Sequence, residues 1–397
     1  MFVKNYASKY GLPQPAAPRA RPDIPPIYLP YGTTKTSMHD KYRQSAISSS
    51  KKAVGYTTFD NIWRITCPDI QIMSRREDCC STCEAHRYNI LHSRNSEEAM
   101  QEFQAHLTDA RHKREYYNSC ITEAKAGKIT HLLFDFAEQL CVPSTTRQIG
   151  PLYFKVCRRY QLFGVCNTSQ PLQHNYIIDE HQTIGMDGKS SHGPNSVVSM
   201  LHYYLVNMNV SDKLVLHADN CAGQNKNKTV FAYLSWRIVN KLNTSIELNF
   251  LPVGHTRSLV DGCFGLAKMK YRRTDCYALK DVVDTVNNSA KCNTTVVYPE
   301  WKWYDWDTFL LQNYRRLPNI SKVSKASFSS NGCVTTDLHE EGFNLLKRSV
   351  KIDDVTGPTL PETIAAAGFS EERRQYLHSQ VAPFVPYGRR DDFLAEN

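Results

Sequence analysis

The sequence predicts an α/β protein, a mixed sheet flanked by helices, with a helical region in front of it. Three observations carry that prediction. From Ile129 onward, short apolar runs rich in β-branched and aromatic residues recur between turn signals. From Gly193 these runs alternate with stretches of helical periodicity, the order that builds layers of sheet and helix. Before Ile129 the pattern is polar and helical, after a proline-dense start. At 397 residues there is room for two or three domains of roughly 100–200 residues, and 41% hydrophobic residues can fill a sizeable core.

Composition excludes several classes. No run approaches the ~18 apolar residues of a membrane span, so no membrane is expected. The opening MFVKNYASKYGLPQP lacks an apolar run followed by a small-residue cleavage site, so secretion is not expected. The thirteen cysteines then read as reduced thiols with one candidate metal site among them. Lys plus Arg (48) exceed Asp plus Glu (39), a net +9 that permits an anionic partner without naming one.

Taken in order, residues 1–33 read as an extended arm, because proline at this density fixes φ and removes donors. Residues 34–76 read as a helix-turn-helix-like unit. A polar stretch from Thr34 to Ser50 leads through Gly55 to a helix over Thr57 to Ile65, with Phe59, Ile62, Trp63 and Ile65 as its apolar face. From Lys35 to Arg76 eight basic residues face three acids, and Lys51, Lys52 and Arg64 are candidate phosphate contacts. An ordinary helical pair with a solvated basic face is the plain alternative.

Residues 77–127 form a Cys/His helical region. Cys80 and Cys83 stand at the spacing with which one turn grips a tetrahedral zinc, and His106, on a long helix over Ser96 to Lys125, is the third candidate ligand. Cys67, Cys79 and His112 remain rivals for the fourth place. His112 lies six residues past His106, roughly 240° around the helix.

Residues 128–290 hold the predicted core. Strands are expected at Ile129–Phe136, Leu152–Asn167, Gln173–Ile178, Lys213–Asp219 and Ile246–Val253. Helices are expected at Gly193–Asn207, Asn227–Leu242, Asp261–Tyr271 and Thr274–Asn288. Three leading strands followed by alternating units imply a mixed sheet with its first and fourth strands adjacent. Residues 291–350, with Trp301, Trp303, Trp306 and Phe309, read as a small aromatic and β unit. Residues 351–397 read as a partly disordered tail.

Three acids fall where such a sheet gathers them: Asp135 in the first strand, Asp219 at the end of the fourth, and Asp261 at a helix start. Carboxylates so gathered repel unless a divalent cation lies between them. Hard oxygen ligands favour Mg²⁺ or Mn²⁺, the ions of phosphoryl transfer. Around Asp219 the block HADNCAGQNKNK offers Asn220, Gln224, Lys226 and Lys228 to a nucleic-acid backbone at a helix N-terminus; a polar N-capping loop is the plain reading. Around Asp261 the block LPVGHTRSLVDGCFGLAK offers Arg257 as a further contact. It also offers His255 as a proton carrier or an ordinary loop histidine. The fingerprints of P-loops, dinucleotide sites and nucleophile elbows are missing, so no nucleotide cofactor is expected.

With those two blocks the chain resembles a family of uncharacterised eukaryotic transposon-derived proteins that is similar to ribonuclease H-like (DDE-type) transposases and integrases. AVGYTTFDNIW, EDCCSTC with HLTDAR, THLLFDFAEQ, GPLYFKVCRRYQLFGVCN and NYIIDE extend the likeness over roughly residues 35–350. The resemblance implies a ribonuclease H-like core with Asp135, Asp219 and Asp261 as catalytic acids, the last an Asp where many integrases have Glu. It implies transposon ends and target DNA as partners, a nuclear location and a homo-oligomer. Asp179 and Glu180 are rivals for the third acid. The alternative is an inactive, domesticated copy that binds DNA or protein.

Overall fold

The computed structural model describes residues 2–13, 27–30, 32–72, 80–92, 96–184, 192–357 and 359–396. The chain divides into two compact units. One comprises residues 1–117 together with 252–257, the other 118–251 together with 258–397.

The first unit begins with α1 (Phe2–Tyr10), β1 (Leu12–Pro13) and β2 (Ile27–Leu29). These elements correct the extended-arm reading at those residues; residues 14–26 and 31 lie outside the described residues. Next come α2 (Lys35–Ser48), α3 (Tyr56–Thr66) and β3 (Ile70–Ile72). A capping box closes the N-terminus of α2, Thr34 and Ser37 each accepting the other's backbone N–H. Val3, Ala7, Leu29, Met38, Phe59, Trp63, Cys67 and Ile70 share one small core. Burial on α3 thus falls on Phe59 and Trp63 alone, and Ile62 and Ile65, expected beside them, are exposed. α4 (Ser81–His92) and α5 (Ser96–Lys125) complete the unit; the last turns of α5, from Asn118, belong to the second.

The second unit follows the predicted alternation closely. Its elements are β4 (Thr130–Phe136), β5 (Leu140–Val142), β6 (Arg158–Asn167), β7 (Leu172–Asp179), α6 (Pro194–Asn207), β8 (Lys213–Ala218) and α7 (Lys228–Val239). β9 (Ser245–Phe250), α8 (Leu259–Tyr271), α9 (Leu279–Asn287) and β10 (Asn293–Val297) come next. After them come β11 (Trp303–Tyr304), α10 (Trp306–Asn313), β12 (Lys325–Phe328), β13 (Cys333–Thr336) and β14 (His339–Asn344). Among the described residues one mixed sheet runs β10-β7-β6-β4-β8-β9-β12-β13-β14, with β5 beside β6. β4, β6 and β7 form an antiparallel meander, whereas β4, β8 and β9 are parallel. The first and fourth core strands are neighbours, as expected. Leu132, Phe134, Leu214, Leu216, Ala218 and Leu248 turn one face into a large apolar core shared with α6, α7 and α10. On the sheet's other side α8 packs against β4 and β6.

Three expectations are corrected. The strand foreseen from Leu152 begins only at Arg158, because Gly150-Pro151 opens a single 3₁₀ turn over Gly150–Phe154. Residues 291–350 are no separate unit: β10 and β12 extend the central sheet at either side, and Trp301, Trp303 and Trp306 lie in its core. The tail is folded, with Leu377, Val381 and Phe393 buried. The buried Arg158, paired with Asp179 at 2.7 Å, donates to the carbonyls of Phe393 and Ala395.

Candidate functional site

β4 and β8 bring the first two acids together. They run parallel with Phe134 opposite Ala218, so Asp135 and Asp219 are the next residues along neighbouring strands. Phe134 and Ala218 point into the apolar core. Alternation therefore sends Asp135 to the opposite face, the side on which α8 packs. Asp261 stands in the first turn of α8, where its Oδ2 accepts from the backbone N–H and hydroxyl of Ser258. The approach of α8 depends on Gly164, the residue paired with Asp135 across β6. A Cβ there would come within 2.7 Å of the Phe264 ring of α8 and 2.8 Å of Gln173 Nε2.

Asp135 registers the gathering. Its carboxyl is raised from 3.8 to about 7, first by burial, then by the charges of Asp219 and Asp261, against a lowering by the Phe136 N–H. An ordinary carboxylate in this position would sit ionised at neutral pH, and this one titrates there. Asp219 is held by the Cys221 N–H at 3.0 Å and by Asn225 Nδ2 at 2.6 Å. Asn225 is completely buried, and among the described residues its Oδ1 has no hydrogen-bond partner. That leaves an unanswered acceptor on the residue that grips Asp219, a donor set suited to a hard cation. The rival acids are committed elsewhere: Asp179 to Arg158 and His181, Glu180 to Arg159 and Arg373.

The strand-to-helix loop after β8 behaves differently from its expectation. Lys226 is buried, its ammonium 4.6 Å from the Phe250 ring centre and 2.7 Å from Asn220 Oδ1. Asn220 in turn donates to the Leu251 carbonyl. Both residues fasten the loop, so neither is turned outward to a phosphate. Asn227 caps α7 by accepting from Thr229 and Val230. Gln224 is half-buried, its carbonyl accepting from Asn227, and Lys228 faces Asp307 at 3.5 Å. In the N-terminal unit Lys51 and Lys52 are exposed; Arg64 is exposed beside Asp60 and Asn61. Arg257 is exposed.

His255 sits in a cluster of cysteine and histidine side chains. It belongs to the N-terminal unit, where it meets Cys80, Cys83 and His106 in a four-residue cluster whose ligand atoms lie within 4.8 Å of one another. Of the other candidates for the fourth place, Cys67, just past α3, is buried in the small core, His112 is exposed on α5, and Cys79 lies outside the described residues. Burial first, then His106 and Arg114, brings His255 down to about 4, and burial lowers His106 as well, so both rings are neutral at pH 7.

Sequence reasoning missed two features. Asn225 was one amide among several in its block, with nothing local to single it out. His131 and His217 join the two acid-bearing strands through a 2.8 Å contact between ring nitrogens, and burial holds His131 at about 4. Their positions, His131 four residues before Asp135 and His217 two before Asp219, were the available signal, since alternation puts them on the same face. No curated protein and no solved structure matches the chain. Residues 177–340, which include Asp219 and Asp261, match the model of a family described only as a domain of unknown function, DUF7869.

Proposed function

We propose that this protein is a transposase-like enzyme that hydrolyses and rejoins phosphodiester bonds in DNA, using Asp135, Asp219 and Asp261 to hold Mg²⁺ or Mn²⁺. The carrying observation is the pairing of β4 with β8, which sets Asp135 beside Asp219, with α8 and its Asp261 packed against β4; the raised carboxyl of Asp135 accords with that crowding. Bound there, divalent ions would activate the attacking oxygen and stabilise the leaving one. The chain's own residues supply the frame. β4 and β8 fix two carboxylates side by side, Asn225 orients Asp219, and the capping turn of α8 presents Asp261. The meander followed by two parallel strands, with the first strand central, supports a ribonuclease H-like core. Lys51, Lys52 and Arg64 would add phosphate contacts from the N-terminal unit.

The test is nicking and joining of labelled DNA by the full chain with Mg²⁺ or Mn²⁺, set against Asp219→Ala. Losing one ligand should lower the rate by at least ~100-fold, the equivalent of several kcal/mol of charge stabilisation. Equal rates for both proteins would remove the mechanism. A panel of duplex, branched and RNA–DNA hybrid substrates identifies the nucleic acid cut.

A further inference from the structure

We propose that Cys80, Cys83, His106 and His255 form a structural zinc centre, closed by a ligand from a segment remote in sequence, that fastens residues 252–257 into the N-terminal unit. Cys83 Sγ lies 3.2 Å from His106 Nε2 and 3.3 Å from His255 Nε2. The two Nε2 atoms are 3.3 Å apart, and Cys80 Sγ is 3.5 Å from His106 Nε2. Zn–S bonds of about 2.3 Å and Zn–N bonds of about 2.0–2.1 Å set tetrahedral edges of about 3.3–3.8 Å, the spacing found here. Hydrogen bonding alone does not explain the convergence. The single Nε2 of His106 has three close neighbours, and a ring nitrogen has one proton or one lone pair to offer.

The surroundings are built to the same end. Cys80 immediately precedes α4 and Cys83 lies in its first turn, so a single turn of backbone presents both sulfurs. The backbone N–H of Cys83 points to Cys80 Sγ at 3.5 Å. Arg114 Nη2 donates to the His255 carbonyl at 2.7 Å, and Gly254 takes φ +77° against the backbone of Cys80. A Cβ on residue 254 would lie 2.3 Å from Cys80 Cα, so the segment reaches the cysteines only with glycine there. Four protein ligands leave no open position, which makes the centre structural rather than catalytic.

The full chain, purified with zinc and dialysed, should carry one tightly held zinc per chain by elemental analysis. Cobalt exchanged into it should show the visible bands of a tetrahedral thiolate site. His255→Ala and Cys83→Ser should each lose the metal, whereas His255→Cys should keep it and His112→Ala and Cys67→Ser should be unaffected. Chelation of the wild-type chain should speed tryptic cleavage after Arg257 at least tenfold. Wild-type protein without zinc, or a full equivalent of zinc in a folded His255→Ala variant, would overturn the proposal. These readouts do not involve DNA cleavage, so they stand or fall apart from the three-aspartate site.

Discussion

Asp135 carries the crowding of the acidic pocket as a proton affinity, which fixes a pH dependence. A carboxyl bound more tightly to its proton in the folded than in the unfolded chain favours the fold at low pH, and that advantage is lost as pH rises toward about 7. Asp135→Asn should therefore raise the stability of the metal-free protein at pH 8 by about 1–3 kcal/mol and leave it unchanged at pH 4. Thermal melts in EDTA check this, and equal gains at both pH values would show that crowding is not the cause. Asp135 and Asp219 stood out because a carboxylate within or just past a buried strand is out of place without a purpose, and Asp261 because it opens a helix beside a basic block. The meeting of His255 with Cys83, 172 residues away, left no local trace. Lys226 misled: a lysine in a polar loop reads as solvated until Phe250 is seen beneath it.

Elements were more legible than individual contacts. Short apolar runs marked β4, β8 and β9, and the starts expected at Gly193, Asn227 and Asp261 fall within a residue or two of those of α6, α7 and α8. The separation of Phe59 and Trp63 from Ile62 and Ile65 was not legible, because periodicity gives a face without saying how much of it a neighbour will cover. The seating of α8 was equally hidden, resting on the missing side chain at Gly164. Gly164→Ala should push the Phe264 ring and cost about 1–3 kcal/mol, with Phe264→Leu recovering part of the loss in the double variant. Urea unfolding of the four proteins measures both effects; a harmless Gly164→Ala would mean that α8 has room to spare.

For the whole molecule, composition divided the chain poorly. Proline and charge after Val355 suggested fading order, yet those residues find partners in the middle of the sequence. Arg373 reaches Glu180 at 2.8 Å, and Arg158 holds the carbonyls of Phe393 and Ala395. Such pairings join positions more than 190 residues apart, a range that no local pattern reports. Phe393→Ala should accordingly cost about 3–5 kcal/mol, as for a ring removed from a filled core. Chemical denaturation would read this directly, and a cost below ~1 kcal/mol would return the tail to the periphery. The return of residues 252–257 to the N-terminal unit also imposes a timetable on synthesis. Between His106 and His255 the ribosome must add 149 residues, about 7–30 s at roughly 5–20 residues per second. Throughout that interval the two thiols and the first imidazole wait for a fourth companion, so the part of the protein made first is among the last to be finished.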